Sequence, residues 1–146
     1  MTLIHKPDDQ IKIVREYLGS RYKLNSCSKE EGFDCFTFTK VIQKELFGRT
    51  LPEISIQDES AAAMIRAVME GEKLCNWTVV NEPIHGCIVE MSMSKIPHHI
   101  GTFIDIKGVG KGLIHCLQGA GVCFDPWITL KAAGWRRFIY NVPRNA

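Results

Sequence analysis

The hydrophobic pattern of this chain changes its period once, at Gly71. Before it, apolar residues recur at helical spacing. After it come short runs of β-branched and aromatic residues, broken by Gly, Pro, Asn and Lys. Helices first and strands after predict an α+β fold, with N-terminal helices packed on an antiparallel sheet. The 146 residues suit one domain over 1–146. A chain of that length buries roughly 68–70% of its unfolded surface, so it needs no staples.

Asp8 and Asp9 can cap a helix through IKIVREYL, with Ile11, Val14, Tyr17 and Leu18 on one face and Gly19 as its stop. The polar stretch RYKLNSCSKEEG reads as a loop. Asp34 can cap a second helix, with Val41, Ile42 and Leu46 on one side and Gly48 at its end. A third helix is expected from about Asp58 to Glu70, stopping at Gly71. The strand-like runs are CNWTVV, GCIVEMSM, HIGTFIDI, GLIHCLQ and RRFIYNV, arranged as a meander. KGVGKG supplies a hairpin turn between the third and fourth of these, and PWITLKAAG a short helix before the last.

A net charge of +2, with no Lys/Arg run, gives no footprint for nucleic acid. No stretch approaches the ~18 apolar residues of a membrane span, so no membrane insertion is expected. The N-terminal MTLIHKPDDQIK has no apolar core of signal-peptide length, which points to synthesis in the cytoplasm with thiols reduced. The six cysteines are Cys27, Cys35, Cys75, Cys87, Cys116 and Cys123, and none forms a Cys-x-x-Cys pair of the structural zinc type. No metal or cofactor is called for.

Five of those cysteines read as small buried hydrophobes. Cys35 differs, because Asp34 places it at a helix start after a glycine-containing loop. A thiol there meets backbone N–H groups and the helix dipole, which together with a nearby histidine can lower its pKa from ~8.5 into the ~3.5–7.5 range. His98 and His99 begin a strand, so alternation puts them on opposite faces and lets at most one face the Cys35 helix. His115 stands in the apolar run GLIHCLQ. A hairpin through KGVGKG lays it beside His99 on one face, where it can orient a histidine base. Gln118 is the alternative orienter. Taken alone, Tyr22 is a core aromatic, and Trp77 and Trp127 are core or cleft-edge residues. The glycines of residues 119–121 lack the lysine and the strand–loop–helix setting of a phosphate loop.

These residues together resemble the NlpC family of cell-wall cysteine peptidases, a compact papain-like fold. The likeness runs from about Tyr17 to Pro143. The family's "Gly-x-x-Tyr" element is matched by Gly19-Ser20-Arg21-Tyr22. Its nucleophile element is matched by Gly32-Phe33-Asp34-Cys35, its helix-end "Leu-Pro" element by LFGRTLPE, and its base element by His99-Ile100-Gly101-Thr102-Phe103. The third polar residue of the family falls on His115, and LIHCLQGAGV is similar to the phage tail-assembly branch. Two positions depart from the family's pattern. Phe36-Thr37 follows Cys35 where many members have Ser-Gly, and Gly86-Cys87 stands where many have Gly-Asp.

The resemblance implies a thiol hydrolase without cofactor, in which Cys35 attacks an amide, His99 moves the proton and His115 orients His99. It also implies that Tyr22 and the Cys35 backbone N–H hold the oxyanion. The implied partner is the peptidoglycan stem peptide, cut between D-glutamate (through its γ-carboxyl) and the diamino acid. Delivery would come from phage tail proteins, so that the enzyme acts from a virion tail at the bacterial wall. The competing readings are a non-catalytic module of a tail or wall complex, and an amidase or toxin effector on the same fold.

Overall fold

The computed structural model describes residues 5–143. Helix α1, Pro7–Tyr17, begins earlier than expected. Pro7 takes its first turn, where a fixed φ helps and a missing N–H costs nothing. Asp8 and Asp9 therefore do not cap the helix. They lie inside the first turn and act only on its dipole. Helix α2, Cys35–Phe47, is capped as expected: Asp34 accepts from the N–H groups of Phe36 and Thr37. The Thr37 hydroxyl closes the box by accepting from the Asp34 N–H at 2.9 Å. Gly48 ends the helix in the left-handed region at φ 67°.

Helix α3, Ala61–Cys75, departs from expectation by running straight through Gly71. Ser60 caps it by accepting from the Ala63 N–H, and Asn76, at φ 45°, ends it. Gly71 is a packing residue rather than a stop. A Cβ there would come within 3.2 Å of Ile54 and 3.4 Å of Phe36.

The expected loop contains a two-residue hairpin of β1 (Cys27–Ser28) and β2 (Gly32–Phe33). The main sheet holds β3 (Thr78–Val80), β4 (Ile88–Ser92), β5 (His99–Ile106), β6 (Gly110–Leu117), β7 (Gly121–Pro126) and β8 (Arg137–Val142). The short helix α4, Trp127–Ala132, precedes β8. The order is β3-β8-β4-β5-β6-β7, and every pairing is antiparallel. The chain is thus α+β, with four helices and an antiparallel sheet among the described residues. The meander holds only from β4 to β7. The last strand returns to pair with both β3 and β4, and β7 itself was not legible as a strand because Gly121 and Pro126 bound it closely. Among the described residues no helix is long and apolar enough to cross a membrane.

Alternation gives the sheet two buried faces. Ile100, Ile104, Ile106, Ile114 and Cys116 meet α1, α2 and α3. Val89, Met91, Phe103 and Leu113 pack with Leu130 of α4 and with Trp135. Among the described residues, one acidic side chain is buried on the helix-facing side. Glu90 of β4 is 1% exposed and accepts from the Asn141 amide at 2.7 Å. Burial, and then the hydrogen bond it shares with Glu72 of α3, raises its pKa to about 8.

The Glu90 Oε1 is buried and takes no hydrogen-bond partner among the described residues, which also favours the protonated form. The folded state holds this proton above the ordinary carboxyl range. Its stabilisation is therefore complete below about pH 4.5 and is lost as pH rises through about 8. The melting temperature should fall between pH 5 and pH 9, by the equivalent of on the order of 3 kcal/mol. Glu90→Gln should remove most of that slope. An unchanged slope in the variant contradicts this account of Glu90.

Candidate active site

Three separate segments build one end of the sheet. The first carries Tyr22. Gly19, at φ 87°, turns the chain out of α1 and donates to the Val122 carbonyl at 3.0 Å, while Val122 donates back to Ser20 at 2.8 Å. Gly121 must lack a side chain there, because a Cβ would lie 2.3 Å from the Ser20 oxygen. On its other side the segment bridges to Phe33 of β2, so Tyr22 is fixed between β7 and the start of α2. Its hydroxyl is buried and has no partner among the described residues.

The second segment carries Cys35, the first residue of α2. The Asp34 carboxylate is spent on Phe36, Thr37 and, at 2.7 Å, the Asn25 N–H, which leaves the Cys35 N–H outside the cap. The Asn25 side chain in turn clamps Ile56 through both of its backbone groups, at 2.8 and 2.9 Å. The two departures from the family's pattern find structural roles here. Thr37 completes the capping box, and Phe36 fills the core cluster under α3. Cys87 is 1% exposed among Val89 and Met91, an apolar setting that suits a thiol better than a carboxylate.

The third segment carries the histidines. His99 opens β5, and its Nε2 lies 2.7 Å from Nδ1 of His115 on β6. The hairpin expectation is met: the two rings lie on one face. That face is the one opposite the helices. His99 stacks on Trp135 at 5.2 Å between ring centroids, with Phe103 further along the strand on the same side. His99 still reaches the Cys35 cavity because it sits at the very end of its strand. His98 is not turned away as alternation suggested. It precedes the strand, escapes the pleat, and lies against Trp135 at 5.6 Å in the same cavity.

Gly101 makes the histidine pair possible. A Cβ there would lie 2.9 Å from the Cβ of His115, a backbone-anchored atom that cannot swing away. Gly101→Ala should displace His115 and lower any turnover at this site by about 10²-fold, the cost of an ångström-scale misplacement. A fully active variant would show that the pairing of the two rings is not required.

Sequence reasoning missed Asp125. Its Oδ2 lies 2.6 Å from His115 Nε2, extending the pair into a line His99–His115–Asp125. The aspartate stands on β7, the strand that was not recognised, so nothing marked it as facing His115. The hydrogen bond to His115 holds its carboxyl below the usual range. A carboxylate only accepts, so His115 Nε2 carries a proton, and in the tautomer with that single proton Nδ1 accepts. His99 then donates from Nε2, and its Nδ1 is left as a lone pair. Gln118, the alternative orienter, instead gives its amide to Glu59 at 3.1 Å.

Tyr22, Cys35, His99, His98, Gln118 and Trp135 all line one cavity of about 310 Å³. Within it the electrostatics overturn one expectation. Cys35 is 2% exposed, and burial, then the Asp34 charge, pushes its thiol up to about 12. Burial first, and the capping carboxylate second, outweigh the backbone N–H groups of Ile100 and Cys35 that favour the thiolate. Burial, then the neighbouring His115 and His98, keeps His99 well below its ordinary value. No hydrogen bond joins Cys35 to His99 among the described residues. The resting pair is a neutral thiol and a neutral imidazole.

Selective alkylation of Cys35 at mildly acidic pH is therefore not expected. Iodoacetamide at pH 6 should label the exposed Cys27 before the buried Cys35. Cys35 labelling first would restore the thiolate picture.

No family model matches the chain, and no curated protein matches it.

Proposed function

We propose that this protein is a papain-like cysteine peptidase of the NlpC type that hydrolyses an amide bond in the peptidoglycan stem peptide. The observation that carries the reading is the convergence of a helix-start thiol, an oriented imidazole and an unpartnered hydroxyl on one cavity. Each of the three elements has a role in acyl transfer. His99 Nδ1 takes the Cys35 proton as sulfur attacks the carbonyl carbon, and later gives it to the leaving amine. His115 and Asp125 hold His99 in the tautomer that can do so and stabilise the imidazolium.

The developing oxyanion meets two donors, the Tyr22 hydroxyl, which has no partner among the described residues, and the Cys35 N–H, which the Asp34 cap does not use. The acyl-enzyme is then hydrolysed by a water that His99 deprotonates. Because thiol and imidazole rest neutral, the proton moves during attack rather than before it. His99 stays unprotonated well below pH 6.5 on account of its burial, so activity should persist into mildly acidic solution.

The substrate rests on the resemblance of the sequence motifs. The proposed bond joins D-glutamate, through its γ-carboxyl, to the diamino acid. Phage tail proteins are the proposed route of delivery to the wall. The test is incubation with purified peptidoglycan and mass analysis of what is released. Disaccharide-linked dipeptide supports the assignment, and intact stem peptide moves the cut to the sugar–alanine amide. The burial of Cys35 favours one competing reading, a non-catalytic module of a tail or wall complex. Absence of any released fragment decides for that module.

A further inference from the structure

We propose that His115, Cys123 and Asp125 form a binding site for a borderline-soft divalent cation such as Zn²⁺, and that its occupancy switches the candidate active site off. One donor atom from each residue lies within 4.8 Å of the other two. His115 and Cys123 face each other across the β6–β7 ladder, and Asp125 follows two residues along β7 on the same face. The Cys123 Sγ–Asp125 Oδ2 separation of 3.7 Å is close to that of two ligands on one tetrahedral zinc. The 2.6 Å separation of His115 Nε2 from Oδ2 must open to about 3.3 Å for the bond lengths zinc prefers. Asp125 can make that move, because its side chain is 38% exposed.

The imidazole is already set as metal-bound imidazoles are. It is fully buried, its far nitrogen is held by His99, and its Nε2 points at the other donors. A thiolate and a carboxylate neutralise the cation. The half-buried Cys123 and Asp125 leave the fourth position to water.

The consequence follows from proton bookkeeping and rests on the proposed function. A cation on Nε2 displaces the proton that Asp125 had held there. His115 must then carry its proton on Nδ1 and donate it to His99. The proton that His99 held on Nε2 moves into that bond, and His99 regains one from solvent on Nδ1. In the proposed mechanism that nitrogen takes the thiol proton, and once protonated it can no longer accept it. The Cys123 thiol releases one proton to solvent, the net proton change of binding. The cation thus reverses the direction of the hydrogen-bond chain without touching Cys35.

The test titrates Co²⁺ into the reduced full-length protein and reads the near-ultraviolet thiolate-to-cobalt band. Wild type and Cys35→Ser should both develop it at one equivalent, and Cys123→Ser should lack it. In the fragment-release assay Zn²⁺ should inhibit wild type. Cys123→Ser should keep the uninhibited rate and need at least tenfold more Zn²⁺. No band in wild type, loss of the band in Cys35→Ser, or undiminished inhibition of Cys123→Ser overturns the proposal. A band with the predicted cysteine dependence, in a protein that releases no fragment at any metal level, supports the metal site and refutes the proposed function instead.

Discussion

If the proposed peptidoglycan cleavage is the activity, His99→Ala should lower its kcat/KM by about three to four orders of magnitude. Most of the effect should fall on kcat, because in the proposed mechanism His99 moves the proton and does little to hold substrate. The loss should be at the upper end for a general base, since the resting thiol is neutral and pushed up to about 12. A preformed thiolate could attack without help; this one cannot. Stability should move the other way in acid. His99 is buried and kept unprotonated in the folded state, so its contribution is complete above about pH 6.5 and is lost as pH falls toward its lowered value. His99→Ala should therefore lose less stability between pH 7 and pH 5 than wild type, although it loses ring packing on Trp135 at every pH. Melting curves over that interval check the second claim, and a variant within tenfold of wild-type turnover defeats the first.

The second large effect belongs to the line behind the base. His115→Ala should lower kcat by about 10²-fold, and Asp125→Ala by about tenfold. Removing Asp125 leaves the histidine pair but frees His115 to choose its tautomer. Removing both should cost little more than removing His115 alone, because they act as a unit. Additive losses in the double variant would mean that Asp125 serves the site by another route. His98→Ala should change KM more than kcat, since its ring lines the cavity against Trp135 and has no place in the proton path.

The site was legible in the sequence wherever its geometry is local. Asp34 as a cap, Cys35 as the first residue of a helix and Gly48 as its end follow from chemistry within a few residues of each position. The His99–His115 pair was legible because a short turn fixes the register of β5 and β6. Legibility failed where the decisive neighbour is distant in sequence. Gly71 looks like a helix stop until Ile54 and Phe36 are seen to need the space. Nothing near Asp125 in sequence marks it until β7 is known to pair with β6. The pKa of Cys35 was misjudged for a related reason. The motif shows Asp34 as a cap, but only the folded core shows that both groups are buried together, where the carboxylate opposes the thiolate.

The most direct measurement compares wild type with Cys35→Ala on purified peptidoglycan, with released fragments identified by mass and both proteins confirmed to melt alike. The account predicts disaccharide-linked dipeptide from wild type and none from the variant, since the attacking sulfur is gone while the cavity remains. The same fragments released by Cys35→Ala at the wild-type rate, or no fragments from either protein, would contradict it.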